Sequence, residues 1–159
     1  MDDRRTAQYE RILEQLRGLI EGASPSLTAA MATICAVLHA KMPHHFWTGF
    51  YFVAGADELH IGPYQGPLAC QILKGKGVCL RATASGVPIV VSDVDAFPGH
   101  IACDARSKSE IAVPLKAGDR VVAVFDVDSN ESGQFTDEDV PPLTHILSLL
   151  APLLEPLGR

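Results

Sequence analysis

The chain has 159 residues, of which 47% are apolar and 20% charged, with a formal net charge of −6. These totals fit one globular domain with a real core. The acidic balance, with MDD at one end and TDED (136–139) near the other, excludes a basic surface for nucleic acid.

The opening segment MDDRRTAQYE has no apolar stretch of a secretory leader behind it, and no apolar run reaches the roughly 18 residues that span a bilayer. The expectation is a cytoplasmic protein without membrane contact, in a compartment where thiols stay reduced. Tyr9, Ile12, Leu13, Leu16, Leu19 and Ile20 recur at three- and four-residue steps and predict a helix over 3–21, ended by Gly22. A second helix is expected from Ser24 as N-cap and Pro25 at its first position, through Leu27, Met31, Ile34, Cys35 and Leu38, stopping before Pro43. Phe46–Val53 is aromatic and β-rich, Gly55–Asp57 turns the chain, and Glu58–Gly62 completes a hairpin.

Residues 62–77 form a long Gly/Pro-rich loop with a short strand at Ala69–Leu73. A short helix over Val78–Ser85 and a strand over Val87–Val91 follow. Residues 92–108 have no period, and a loop of that length in a small domain is usually functional. Ile111–Leu115 and Val121–Val127 pair around Gly118-Asp119. Thr136 caps a last helix with Leu143, Ile146, Leu147 and Leu150 on one face. Pro141 and Pro142 disturb its first turn, and Pro152 kinks or stops it. The order predicts an α+β domain: a central antiparallel sheet, terminal helices on one face, and a loop-enclosed pocket on the other.

Four cysteines are too few for a disulfide scaffold. Cys70, Cys79 and Cys103 each lie in Gly/Pro-punctuated stretches, where substrate and a second thiol can reach them. Cys35 sits in the apolar run ATICAVLHA and reads as a packed core thiol. His100, Arg106 and Lys108 flank Cys103, and Lys74 and Lys76 lie between the other two; cations aimed at a thiol lower its pKa, while Asp104 opposes them. Cys70, Cys79, His100 and Cys103 lack the two close pairs of a structural zinc site, so no metal is expected. Glu110 opens a strand directly after the Cys103 loop. Asp126 and Asp128, two apart on a strand, share one face, as do Trp47 and Tyr51, four apart. Close carboxylates raise each other's pKa, which keeps one of them protonated as an acid. His39, His44, His45, His60 and His145 read as structural.

The segments GFYF, GPYQGPLAC, GKGVC, FPGHIACDARSKSEIAVPL and FDVDS, in this order over about residues 45–140, resemble free methionine-(R)-sulfoxide reductase, an enzyme built on a GAF domain. Two departures flank Cys79: the stretch from Cys70 is about one residue short, and Leu80 stands where the family has Gly. The resemblance implies reduction of free L-methionine (R)-S-oxide, with Cys103 attacking, Cys70 as its direct disulfide partner (Cys70–Cys103) and Cys79 as a further resolving thiol. It implies that Glu110 and Asp128 lie near the sulfoxide oxygen and Asp126 near the amino end. Trp47 and Tyr51 would line the pocket. No cofactor or metal is implied; thioredoxin is the implied reductant and a homodimer the implied assembly. The alternative is a GAF module that senses a small molecule or redox state without turnover; the absence of an output domain favours the enzyme.

Overall fold

The computed structural model describes residues 1–100 and 103–159; Ile101 and Ala102, inside the HIACDARSKSEI block, lie outside the described residues. Two helices open the chain, α1 (Asp3–Ile20) and α2 (Leu27–Lys41). Asp2 caps α1 by accepting from the Arg4 and Arg5 amides, and Tyr9, Ile12, Leu16 and Ile20 form its buried stripe. Leu19, expected on that stripe, is 48% exposed. The cap of α2 is Ser26, which accepts from Ala29 N at 3.1 Å, and not Ser24. Ser24 serves the helix before it: its amide bonds the Ile20 carbonyl and closes α1.

Six strands follow: β1 (Trp47–Gly55), β2 (Glu58–Gln65), β3 (Ile72–Lys74), β4 (Ile89–Val91), β5 (Ser109–Ala117) and β6 (Arg120–Ser129), with helix α3 (Val78–Ser85) between β3 and β4. They make one sheet, ordered β3-β2-β1-β6-β5-β4, in which every neighbouring pair is antiparallel. β3 starts later than expected, so Ala69 and Cys70 stay in the loop; β4 starts after Pro88, which has no amide to give a ladder.

Strand alternation divides the sheet into two faces. Phe50, Ile111, Val113, Phe125 and Val127 pack against α1, α2 and the C-terminal helices in the larger core. Trp47, Tyr51, Ala112 and Val124 point the other way and join Cys79, Leu80 and Ala82 of α3 in a smaller cluster. The expected arrangement is therefore present: terminal helices on one face, α3 and the long loops on the other.

The C-terminal run Asp137–Gly158 is, by length and composition, apolar enough to cross a membrane, with mean hydropathy 1.2 over 18 residues, contrary to the expectation from the sequence. Prolines break it into α4 (Val140–Leu147), α5 (Ala151–Leu154) and flanking 3-10 turns, and Leu143, Ile146, Leu147, Leu150 and Leu154 are buried in the core. Thr136 caps this run as expected, in a capping box with Asp139. Asp139 also accepts from the Tyr9 hydroxyl at 2.9 Å, tying the last helices to α1.

Candidate active site

Register alone assembles three acids on the pocket face. Glu110 of β5 stands opposite Asp128 of β6, and Asp128 opposite Trp47 of β1; Asp126 stands opposite Gly49 and Ala112. Because all have the same strand parity, their side chains emerge together. Gly49 is the small residue this crowding needs: a Cβ there would come within 2.5 Å of Tyr64 Cβ and closer still to the Trp47 ring. That lets Trp47 lie stacked between Tyr51 (5.8 Å between centroids) and Tyr64 (5.4 Å). Tyr64 escaped the sequence reading because it lies on the neighbouring strand, reached only through sheet register.

Helix α3 covers this face. Gly77 before it and Gly86 after it have φ of 138° and 69°, backbone that favours glycine, and set its ends. Cys79 in its first turn is buried, 3% exposed, within the apolar cluster. The short helix expected over Val78–Ser85 is present with those bounds and carries Cys79; the accessibility expected of that thiol is corrected, because the helix folds back on the sheet and buries it. Leu80, the departure from the family pattern, packs beside it and is also buried. The Cys79 thiol faces Glu110 Oε1 at 3.7 Å.

Cys70 and Cys103 form a disulfide across 33 residues of sequence, with Cα atoms 5.4 Å apart, an ordinary separation for the bond. The pairing implied by the resemblance is thus present. Cys35 and Cys79 are the free cysteines, both buried. The Tyr51 hydroxyl donates to the Cys70 carbonyl at 2.9 Å and holds that loop against β1. One pocket is lined by Trp47, Tyr51, Cys79, Cys103, Glu110, Asp126 and Asp128, with His100 beside them. Cys70, the remaining candidate, reaches the pocket through its bond to Cys103.

Some of the residues that flank the thiols in sequence have other partners. Arg106 pairs with Asp104 at 2.7 Å and lies over the Phe46 ring. Lys74 pairs with Glu58 at 3.3 Å. His100 faces Glu110, Nδ1 to Oε2 3.8 Å. Arg106 and Lys74 are thus engaged away from the thiols, whereas Lys76 lines the pocket together with Cys103.

The electrostatics of the floor are set by burial among like charges. Burial, then Asp126 and Asp128, hold the Glu110 carboxyl well above the usual range. Burial raises Asp126 to about 6, and burial with Asp126 beside it raises Asp128. Burial and the same acids push the Cys79 thiol up as well, so it stays protonated. Burial lowers the His100 imidazole, favouring its neutral form. Asp126 Oδ1 is buried without a hydrogen-bond partner, a polar atom that a ligand can satisfy. The arrangement offers carboxyls raised toward the protonated form at the floor, a disulfide at the wall and an aromatic side.

A sheet of this order carrying a pocket between its face, a short helix and two loops is the GAF architecture, and the GAF domain family matches residues 11–155. The chain is 38% identical to free methionine-R-sulfoxide reductase of Escherichia coli over 151 residues, covering 94% of this chain and 90% of that protein. It is 44% identical to GAF domain-containing protein A of Dictyostelium discoideum over 144 residues, 90% of each. The crystal structure of free methionine-R-sulfoxide reductase from Neisseria meningitidis, in complex with its substrate, superposes with a TM-score of 0.90 at 38% identity, over 100% of this chain and 94% of that one. The chain belongs to the free methionine-(R)-sulfoxide reductase family of GAF domains.

Proposed function

We propose that this protein reduces free L-methionine (R)-S-oxide to L-methionine by thiol chemistry. The observation that carries the reading is the Cys70–Cys103 disulfide in the wall of a pocket floored by Glu110, Asp126 and Asp128. In the reduced enzyme the Cys103 thiolate attacks the sulfoxide sulfur. Glu110 and Asp128, raised toward the protonated form, give a proton to the departing oxygen. The new bond between the Cys103 and substrate sulfurs then breaks as the protonated oxygen passes from the substrate sulfur to the Cys103 sulfur; the S–O bond of the substrate is thereby cleaved, methionine leaves, and Cys103 is left as sulfenic acid. Cys70 then attacks the Cys103 sulfur, water departs, and the disulfide forms. Asp126, with its unpartnered Oδ1, accepts the substrate ammonium. Trp47 and Tyr51 pack the thioether methyl and side chain.

Cys79, buried and held protonated, is the poorest nucleophile of the three, so its role as a second resolving thiol is secondary to that of Cys70. Thioredoxin is the reductant we assign, consistent with a cytoplasmic setting, and a homodimer the assembly. Family membership and a substrate-bound relative of the same fold support the activity.

Steady-state methionine release from free methionine (R)-sulfoxide, supplied with dithiothreitol or thioredoxin, tests the reading. Cys103→Ser is expected to lose about 10³-fold or more, as for removal of a nucleophile. Activity confined to the (S) epimer or to peptide-bound sulfoxide, or full activity in Cys103→Ser, contradicts it. Binding without turnover selects the sensing module instead.

A further inference from the structure

The floor of the pocket holds a donor set that the reduction chemistry does not account for in full. Cys79 Sγ, a Glu110 oxygen and an Asp126 oxygen lie within 4.8 Å of one another. They come from three separate elements, α3, β5 and β6, and each residue is at most 5% exposed. His100 lies outside that close set but lines the same pocket, its Nδ1 3.8 Å from Glu110 Oε2. Cys79 Sγ is 3.7 Å from Glu110 Oε1. Around a tetrahedral zinc ion with bonds of about 2.0–2.3 Å, neighbouring donors stand roughly 3.3–3.8 Å apart. The Cys79–Glu110 separation therefore suits one ion; His100, measured to the other Glu110 oxygen, joins the shell only by swinging toward the three.

A second observation points to a ligand here. Asp126 Oδ1, on a residue 95% buried (5% exposed), has no hydrogen-bond partner. Among the described residues no lysine or arginine forms an ion pair with Glu110 or Asp126. Cys70 and Cys103 are bonded to each other, so this set stands apart from them and survives in the oxidised protein.

We propose that Cys79, Glu110, Asp126 and His100 bind a thiophilic divalent cation of the zinc class, and that the bound ion closes the pocket to substrate. Binding exchanges protons for metal: the Cys79 S–H and any carboxyl proton leave to solvent, sulfur and oxygen lone pairs take the ion, and no electrons move. One thiolate and two carboxylates offset the charge of 2+, and the neutral imidazole completes a mixed N/O/S shell suited to zinc or cadmium. Metal binding rests on these four donors alone; only the exclusion of methionine sulfoxide rests on the reductase reading.

The test begins with oxidised, full-length protein, its disulfide verified by mass, titrated with cadmium and then zinc. The expected result is one ion per chain, with a thiolate-to-cadmium charge-transfer band in the ultraviolet. Cys79→Ser is expected to abolish the band, and Cys35→Ser, which removes the other free thiol, to retain it. His100→Gln and Asp126→Asn are expected to weaken zinc binding at least tenfold by calorimetry, in proteins shown by circular dichroism to be folded. Should Cys79→Ser fail to fold, those two variants carry the test. No band in the wild type, a band retained in folded Cys79→Ser, or unchanged affinity in both His100→Gln and Asp126→Asn overturns the site. In a second arm, zinc is added to pre-reduced, thiol-free wild type during single-turnover methionine release. A raised apparent substrate requirement at unchanged maximal rate supports exclusion. Stoichiometric binding with undisturbed release overturns exclusion while leaving the metal site standing, and absence of turnover without metal indicts the reductase reading alone.

Discussion

Asp126 shows how one residue trades stability for chemistry. Its carboxyl is buried, half of it unpartnered, and raised to about 6 by burial. Glu110 and Asp128 are raised with it. A carboxyl whose folded pKa exceeds its unfolded value holds its proton more tightly when folded. Its stabilising share is complete below about pH 4, the unfolded value, and declines as pH rises through the folded value. At neutral pH the acid cluster therefore works against the fold. Asp126→Asn is expected to raise the melting temperature at pH 8 by a few degrees while weakening substrate binding roughly 10- to 100-fold, about 1.5–3 kcal/mol for a charge-assisted hydrogen bond. Calorimetric melting and the KM of the same variant check both halves; a variant less stable at pH 8 contradicts this account of the cluster.

At the level of elements, the junction between α2 and β1 carries an opposite pH dependence. His44 and His45 lie between α2 and β1, separated from the end of α2 by Met42 and Pro43, with His44 Nε2 and His45 Nε2 buried and unpartnered. Burial lowers both imidazoles, His44 to about 4, with Arg5 adding to the effect and Asp139 opposing it at His44. A histidine with a depressed folded pKa binds protons more readily when unfolded, so stability is intact above about pH 6.5 and is lost as pH falls toward 4. The acid cluster pulls the other way over the same range, so the informative quantity is a difference. Between pH 7.5 and 5, a His44→Gln/His45→Gln protein is expected to retain about 1–2 kcal/mol more of its pH 7.5 stability than the wild type. Urea midpoints at the two pH values measure it, and equal losses in both proteins would remove the histidines from the account.

The same scale shows what was legible in the sequence. Pairs sharing strand parity, Trp47 with Tyr51 and Asp126 with Asp128, could be read from spacing, because alternation in a strand is local. The terminal helices were legible from their 3.6-residue stripes. The helix over Val78–Ser85 was legible, but the burial of Cys79 on it was not, because only the fold brings α3 over the acids. The partnership of His100 with Glu110, and of Arg106 with Asp104 in place of Cys103, depends on how the loop over 92–108 packs, which no periodicity records. Cys70 and Cys103, 33 residues apart, were joined by family resemblance, since spacing left the partner open.

For the whole molecule, the sheet separates two tasks. One face and its helices supply the larger apolar core, and the other spends its burial on acids, thiols and stacked aromatics. The link between them is the rigid sheet, which holds Glu110, Asp126 and Asp128 in register while the loops bring the disulfide to the pocket. The central claim is that one sulfoxide oxygen leaves for each disulfide made between Cys70 and Cys103. Fully reduced protein mixed with free methionine (R)-sulfoxide, with no other reductant present, tests it most directly, by counting methionine released and mapping disulfides by peptide mass. The account predicts one methionine per chain and one new bond, Cys70–Cys103. Methionine released with both of those thiols still free, or with the bond formed to Cys79 in their place, would contradict it.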